Sequence, residues 1–300
     1  MNYKKKIKSQ KLRIKILKLL SFIPDKIMIK LQYRISTGKK LNLKHPSTFN
    51  EKIQLYKLNY RDNLMIICAD KFSVRNFVES KGLSNILNEL YSVYSSYKDI
   101  DFGTLPKKFV LKTTNGSGTN YFCSNKDQID YIELEKILTE WMKPLKKSLG
   151  REWAYDNIVP RIICEKYLEV EQGEDLRDYK FFCFDGEPKY IQVDMNRATN
   201  HQRNIYDIDW NYIDETITYS NVGDIIQKPK TFDKMLAIAR ILSKDFPHVR
   251  VDLYDYKDQV IFGELTFYHG SGYEKFSSYK FEKEMGFEFT VPRKISNRKF

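Results

Sequence analysis

A chain of 300 residues is long enough to bury a large core and to form two or three subdomains. Its composition, with 42% hydrophobic residues and only 13 glycines and 9 prolines, excludes a largely disordered protein. The net charge of +12 is concentrated at the N-terminus, because residues 1–40 contain 13 Lys and Arg and a single acidic residue, Asp25. The other 260 residues hold 38 charges of each sign, so a basic leader precedes an electrically balanced body.

Cysteine usage and hydropathy exclude several further classes of protein. Without C-x-x-C spacing, the cysteines predict neither a zinc site nor a disulfide framework, and they fit reduced thiols in a cytoplasmic protein. No apolar run approaches the roughly eighteen residues of a membrane span. The leader is a poor signal peptide, because lysines interrupt its apolar stretch and no small-residue cleavage site follows. The residues concerned are Cys68, Cys123, Cys164 and Cys183, and Lys15 and Lys18.

The leader predicts an amphipathic helix over residues 11–31. Apolar residues recur at spacings of three and four, with lysines on another face, and Pro24 would kink or end the helix. This pattern favours peripheral binding of residues 1–35 to an anionic membrane, at the inner face of the cell membrane. A helix packed on the body with a solvated basic face is the alternative. Aromatic residues are few here, so we expect no specific nucleic-acid partner.

Residues 41–100 read as mainly helical. Ser47 and Glu51 have the spacing of a helix start, and Asp70 can cap a second helix that ends at Gly82. Lys71 and Arg75 lie four residues apart at its beginning, a spacing that a merely solvated basic face would also show.

Residues 107–122 predict a strand, a glycine-containing turn and a second strand. Lys112 ends the first strand, and Gly116 and Gly118 would let the backbone approach an anion, with Ser117 adding a hydroxyl donor. The order of a P-loop is absent, because the lysine precedes the glycines. The segment is therefore either a phosphate-binding turn or an ordinary hairpin.

The middle of the chain predicts further strands. Residues 161–168 form one that carries Glu165, and Asp185-Gly186 joins two strands over residues 178–194 as a hairpin. Lys180 lies in an otherwise apolar strand, so it needs a partner or an anion. Residues 196–230, with Arg197 and Arg203, read either as a substrate-facing lid or as a surface insertion.

Two strands near the C-terminus, over residues 249–254 and 260–267, each carry one carboxylate, Asp252 and Glu264. The turn-like residues 255–259 between them predict a hairpin. Ionised carboxylates inside a sheet are costly unless a cation compensates them. We therefore expect Asp252 and Glu264 to hold a divalent metal ion.

The order of these motifs resembles the ATP-grasp superfamily. Residues 178–189 (DYKFFCFDGEPK) and 262–272 (FGELTFYHGSG) are similar to the TupA-like ATP-grasp family, which is associated with teichuronopeptide and capsular polysaccharide assembly and whose members are often labelled glycosyltransferases. The resemblance implies an α+β fold in which two α+β subdomains clamp ATP, preceded by a helical N-terminal region. It divides the chain into a leader (1–40), a mainly helical region (41–105), a small lid subdomain (106–170) and a large metal-binding subdomain (171–300).

The resemblance also implies roles for individual residues. The nucleotide would be held at its phosphates, its base and its ribose. Magnesium would be held by carboxylates, with a neutral hydroxyl where the superfamily commonly has an asparagine. The phosphates would be bound by Lys112, Arg75, Lys180 and the turn Gly116, Ser117 and Gly118. The base would be bound by Glu165 and the backbone of Lys166 and Leu168, and the ribose by Asp178. The ligands of Mg²⁺ would be Asp252, Glu264 and Thr266.

These expectations lead to an ATP-dependent carboxylate–amine ligase that acts through an acyl phosphate. Its partners would be a carboxylate-bearing sugar or glycan acceptor and an amine donor. Arg197 and Arg203 are our candidates for binding the acceptor carboxylate. The alternative is a nucleotide-sugar glycosyltransferase of the same pathway, for which Asp99-Ile100-Asp101 and Asp207-Ile208-Asp209 offer the short Asp-x-Asp pattern.

Overall fold

The computed structural model describes residues 15–17, 19–143, 147–170, 176–197 and 199–292, together with the backbone of residues 295–296. The α-helices are α1 (Asp25–Thr37), α2 (Phe49–Asn59), α3 (Asn63–Ala69), α4 (Val74–Ser80), α5 (Tyr131–Trp141), α6 (Trp153–Asp156), α7 (Phe232–Ser243) and α8 (Tyr279–Glu288). The strands are β1 (Tyr60–Arg61), β2 (Leu90–Tyr94), β3 (Phe109–Thr113), β4 (Asn120–Cys123), β5 (Ile162–Lys166), β6 (Asp178–Phe184), β7 (Glu187–Met195), β8 (Gln202–Asp207), β9 (Tyr212–Ile213), β10 (His248–Tyr256), β11 (Gln259–Thr266) and β12 (Ile295–Ser296).

The small sheet has the strand order β2-β5-β3-β4, and all its pairs are antiparallel. Alternate residues of β3, Phe109 and Leu111, pack with Leu134 and Leu138 of α5. Because side chains alternate along a strand, Val110 and Lys112 point to the opposite face. The small sheet therefore presents one apolar face to its own helix and a second, partly polar face away from it.

The large sheet has the strand order β11-β10-β6-β7-β8-β9 and is also antiparallel. One face packs on α7, with Phe181 close to Phe232 at a ring-centroid distance of 6.2 Å. The other face is covered at one end by α2, where Phe49 contacts Phe182 and Phe184. The uncovered end of that face carries the charged side chains of β6, β7 and β10.

Local sequence signals explain several of these elements. Thr48 and Glu51 form a capping box at the start of α2. Asp185 and Gly186 both have positive φ, as the two-residue turn between β6 and β7 requires. Asp70 accepts hydrogen bonds from the amides of Phe72 and Ser73 just before α4. The predicted strand–turn–strand unit is present as β3 and β4.

The division of the chain at residue 105 requires correction. β2 lies within the region expected to be mainly helical, yet it pairs with β5 and forms the edge of the small sheet. Helices α2 and α3 of the same region share their core with the large sheet. Residues 41–105 are thus distributed over both sheets because their apolar side chains complete two separate cores.

Residues 196–230 contain β8 and β9 and extend the large sheet. The segment is thus neither a free lid nor an insertion outside the fold.

The predicted helix over residues 11–31 is divided at Pro24: residues 15–17 and 19 are helical before it, and a separate helix, α1, follows it. Pro24 is the N-cap of α1, which continues to Thr37 and ends at Gly38 with positive φ. A 3₁₀ turn, Leu20–Phe22, precedes it. Residues 11–14 and Lys18 of the predicted helix lie outside the described residues. None of the helices in the described part of the chain has the length and apolar character that crossing a bilayer requires.

Candidate active site

A cleft of about 470 Å³ lies between the small sheet and the large sheet, and both contribute charged side chains to its walls. Most residues that the sequence singles out line this cleft: Arg75, Lys112, Ser117, Gly118, Glu165, Leu168, Asp178, Lys180, Arg197, Arg203, Asp252 and Glu264. Residues that are far apart in the chain therefore converge on one site.

The small-sheet wall is built around the buried carboxylate of Glu165. Lys112 donates to one of its oxygens at 2.7 Å, and Arg75 donates to the other at 3.3 Å. The strand register places Lys112 and Glu165 diagonally on the face that looks away from α5. Two cations share one carboxylate, so this group carries a net positive charge towards the cleft.

Lys71 adds a third cation that the sequence assignment left out. Its ammonium donates to the carbonyl oxygen of Thr113 at 3.3 Å and to that of Gly116. Burial lowers the pKa of Lys71, and Glu264 across the cleft opposes this effect. The Asp70-Lys71 pair before α4 was the available signal, but the same spacing also fits a solvated face.

The glycine turn lies where an anion could reach its backbone. Ser117 and Gly118 line the cleft, and Gly118 has a φ of +72°, which favours glycine. Gly116 lies in a small adjoining cavity with Lys71 and Glu264. The turn therefore joins the cationic wall to the carboxylates of the large sheet.

The resemblance implies that the backbone of Lys166 contacts the base, but this backbone already forms hydrogen bonds within the protein. Its amide donates to Glu89 O at 2.9 Å, and its carbonyl accepts from Asn88 Nδ2 at 2.9 Å. Its side chain is half exposed and lies near Glu89. Lys166 is not among the described residues that line the cleft. Leu168 does line the cleft.

The large-sheet wall holds Asp252 and Glu264 directly opposite each other on β10 and β11. Arg250, two residues before Asp252, donates to both Asp252 oxygens, at 2.7 and 2.6 Å, and approaches Glu264 at 3.4 Å. Thr266 donates to Glu264 at 3.0 Å. Arg250 thus neutralises the facing carboxylates. Its spacing of two residues from Asp252 puts both side chains on one face of the strand, but that spacing alone also fits an exposed arginine.

The two carboxylates differ in their proton affinity. Burial raises the pKa of Asp252, against the opposing effects of Arg250 and Lys180. Partial burial also raises the pKa of Glu264, but Arg250, Lys71 and Lys180 together bring that pKa below its usual range. Glu264 is therefore ionised at neutral pH and available to a cation.

The donor set fits a magnesium ion bound partly by substrate. Mg²⁺ is commonly held by one or two carboxylates together with phosphate oxygens, and not by a cage of protein ligands. Asp252 and Glu264 supply two such carboxylates, and Thr266 adds a hydroxyl oxygen beside Glu264. Within the described residues, no group of three or more His, Cys, Asp and Glu side chains could hold a metal ion. Binding here requires Arg250 to release part of its contact with these oxygens.

Asp178 and Lys180 lie side by side on β6. Asp178 accepts from the Lys180 ammonium and from Arg197 at 2.9 Å. Its other oxygen, Oδ1, is buried and has no hydrogen-bond partner in the described part of the protein. Lys180 also donates to Asp252 at 3.2 Å. An unpaired acceptor at the cleft is compatible with the ribose contact implied for Asp178.

Arg203 and Arg197 differ in how much of the guanidinium is free. Arg203 is buried and forms a two-point pair with Asp194 at 2.6 and 3.1 Å, with a further bond to Ile217 O. Although burial raises the pKa of Asp194, Arg203 and Lys180 bring that pKa below its usual range. Arg197 is about half exposed. The geometry therefore favours Arg197 over Arg203 as the group that meets an acceptor.

Neither Asp-x-Asp pair is placed to bind a nucleotide sugar in this cleft. Asp101 accepts from the amide of Gly103, and Asp207 accepts from the amides of Asp209 and Asn211. Both pairs therefore stabilise turns. None of their four carboxylates is among the described residues that line the cleft.

Comparisons with known proteins identify the family of this chain. The model of a family described as TupA-like ATPgrasp matches residues 51–290. The D-alanine–D-alanine ligase of Bacillus anthracis, complexed with ATP, is 15% identical, with a TM-score of 0.40 over 67% of this chain and 54% of that chain. The same enzyme from Helicobacter pylori is 12% identical, with a TM-score of 0.43 over 75% and 60%.

Phosphoribosylamine–glycine ligase of Thermotoga maritima is 9% identical, with a TM-score of 0.37 over 68% of this chain and 48% of that chain. The present chain thus spans about half to three-fifths of the length of these proteins. No curated protein sequence matches it.

Proposed function

This chain belongs to the TupA-like ATP-grasp family, and from that membership we propose that it is an ATP-dependent carboxylate–amine ligase of cell-surface polysaccharide assembly. One observation carries the proposal: a cationic wall with a glycine turn faces a pair of carboxylates across a single cleft. Phosphoryl transfer needs mainly positioning and charge neutralisation, and this arrangement offers both.

The reaction has two steps. A carboxylate of the acceptor attacks the γ-phosphorus of ATP, and the bond from that phosphorus to the bridging oxygen breaks. The products of this step are ADP and an acyl phosphate. An amine then attacks the acyl carbon, inorganic phosphate departs, and the amine loses a proton. The acceptor we propose is a sugar acid or a glycan that carries one.

The residues of the cleft divide the work between the two walls. Lys112, Arg75 and Lys71 hold the phosphate oxygens from the small-sheet side, and Arg197 binds the acceptor carboxylate. Asp252 and Glu264, with Thr266 beside them, would hold Mg²⁺, which neutralises phosphate charge when it is bound. Arg250 keeps these carboxylates balanced and ordered.

Hydroxylamine provides a test that does not require the natural amine. The protein is incubated with ATP, Mg²⁺ and hydroxylamine, together with a panel of sugar acids and amino acids. A ligase releases ADP and forms a hydroxamate, and both products depend on the carboxylate added.

The glycosyltransferase alternative predicts a different product. Release of UDP from a UDP-sugar, without ATP turnover, would contradict the ligase.

An Arg197→Ala variant should raise the acceptor concentration needed for half-maximal hydroxamate formation. Arg240→Ala, at an exposed ion pair with Glu187, is the matched control.

A further inference from the structure

Exposed apolar side chains are concentrated on one short segment at the N-terminal end of the described chain. The exposed fractions are 75% for Leu19, 79% for Phe22, 60% for Ile27, 44% for Leu31 and 36% for Ile35. Single exposed apolar residues are normal on a protein surface, but five of them within seventeen residues indicate an interaction site. In α1 the spacing of Ile27, Leu31 and Ile35 places them in one stripe along the helix.

The opposite face of α1 is firmly attached to the body of the protein. Met28, Ile29 and Tyr33 are buried. Gln32 donates to Leu149 O at 2.7 Å and accepts from Tyr273 at 2.9 Å. The exposed stripe is therefore held out by a packed helix.

The turn before α1 is held as well. Arg151, whose side chain is almost fully buried, donates to Leu20 O at 2.8 Å and to Ser21 O at 3.1 Å. Leu19 and Phe22 flank these anchored carbonyl groups, so their exposure does not result from a detached segment.

Basic side chains run beside the apolar stripe. Lys26, Lys30 and Arg34 are exposed and lie four residues apart on the neighbouring part of the helix surface. The single acidic residue of the leader, Asp25, is already paired with cations of the body, at 2.8 Å from Lys147 and 3.4 Å from Arg61. The outward face of α1 thus combines apolar and cationic groups without an opposing charge of its own.

We propose that this face, defined by Leu19, Phe22, Ile27, Leu31 and Ile35 with the adjacent Lys26, Lys30 and Arg34, docks on an anionic lipid bilayer. The apolar side chains would enter the boundary between headgroups and acyl chains, and the cations would meet lipid phosphates. Charge complementarity selects this occupant, because the leader as a whole carries 13 basic residues and one acid.

The packed side of α1 is attached beside the cleft. Tyr273 contacts Gln32 of α1, and the neighbouring residues Gly270 and Glu274 line the cleft. This location suits an acceptor that is presented at a membrane surface. The docking itself does not depend on the proposed ligase chemistry, so either proposal can fail without the other.

Vesicle sedimentation tests the proposal with the full chain. We expect binding to vesicles of phosphatidylcholine with 30% phosphatidylglycerol, little binding to phosphatidylcholine alone, and release at 0.5 M NaCl. Two triple variants, Phe22→Ser/Ile27→Ser/Leu31→Ser and Lys26→Glu/Lys30→Glu/Arg34→Glu, should each weaken binding at least tenfold.

The matched control is Ile132→Ser/Ile225→Ser/Phe287→Ser, which removes apolar side chains that are 70%, 73% and 84% exposed elsewhere on the surface. It should bind vesicles like the unchanged protein. All altered residues are exposed, so melting temperatures should stay within a few degrees and report folding directly.

Three results would overturn the proposal. The first is vesicle binding that the serine triple variant leaves unchanged, and the second is equal binding to neutral and anionic vesicles. The third is that the unchanged protein does not bind vesicles but does self-associate or bind RNA, and that the serine triple variant loses this binding. That result would assign the face to a second copy or to nucleic acid.

Discussion

Arg250 controls the charge balance of the large-sheet wall. Its guanidinium contacts Asp252 and Glu264, and it also donates to the Nδ1 of His269 at 2.5 Å. The two carboxylates could be identified from the sequence because a carboxylate is unexpected inside an apolar strand. Arg250 was not identified, because an arginine near the start of a strand also fits solvent exposure. Only the pairing of β10 with β11 and β6 places it between the acids.

Replacement of Glu264 tests the magnesium assignment. Glu264→Gln keeps the shape of the side chain but removes the charge, so ATP with Mg²⁺ should no longer raise the melting temperature more than ATP alone. In the unchanged protein, ligand at one hundred times its Kd stabilises by about 2.7 kcal/mol, a shift of a few degrees. Glu274→Gln, a carboxylate elsewhere in the cleft, should retain the shift. A retained shift in Glu264→Gln would remove Glu264 from the metal site.

A second residue-scale prediction concerns acid stability. Burial among aromatic rings lowers the pKa of His248 to about 3, while an unfolded histidine titrates near 6.5. Between about pH 6.5 and about pH 3, His248 is protonated in the unfolded state but not in the folded state. The free energy of unfolding therefore decreases as the pH falls through this range. From pH 6.5 to pH 4 the contribution is about 3 kcal/mol.

Denaturant unfolding at several pH values provides the measurement. His248→Phe has no proton to bind, so its free energy of unfolding should fall less steeply between pH 6.5 and 4 than that of the unchanged protein. The variant also loses the hydrogen bond to Cys183 O, which lowers stability at every pH. Parallel pH profiles for the two proteins would show that His248 is not the responsible group.

At the scale of elements, a β-bulge at Gly263 sets the direction of Glu264. In a regular strand residues 262 and 264 share a face. Here Glu264 pairs with Asp252, whereas Phe262 pairs with Leu253, so Gly263 is the extra residue. The bulge places Glu264 opposite Asp252 and Phe262 opposite Leu253, where Phe262 packs in the core and also borders the cleft. Sequence alternation alone does not contain this irregularity, although the two strands and their hairpin could be predicted.

Gly263→Ala should destabilise the protein. An added Cβ would lie 2.9 Å from Asp252 O and 3.0 Å from the ring of Tyr254, so the strands would have to shift. We expect a loss of about 1–3 kcal/mol in the free energy of unfolding, measured by denaturant titration. Gly116→Ala, where the nearest atom is 3.9 Å away, is the control with little effect. Equal stabilities of both variants would contradict the close approach at the bulge.

At the scale of the whole molecule, the active cleft depends on pairings between distant segments. β2 joins β5 across more than sixty residues, and β1 pairs with β12 near the other end of the chain. The hairpins, the glycine turn and the α+β class could be predicted because their signals are local. The assignment of β2 to the small sheet could not, because it results from the shared core and not from residues 90–94 alone.

The central claim is that the cleft between the two sheets binds ATP. Isothermal titration calorimetry with ATP and Mg²⁺ tests it most directly, using the unchanged protein, Lys112→Ala and the surface control Lys108→Ala, which disrupts an exposed ion pair with Glu169. Loss of a charged hydrogen bond is worth about 1.5–3 kcal/mol, so Lys112→Ala should bind ATP about 10- to 100-fold more weakly, while Lys108→Ala binds like the unchanged protein. Equal ATP affinity in all three proteins, or binding of a UDP-sugar without binding of ATP, would contradict the account.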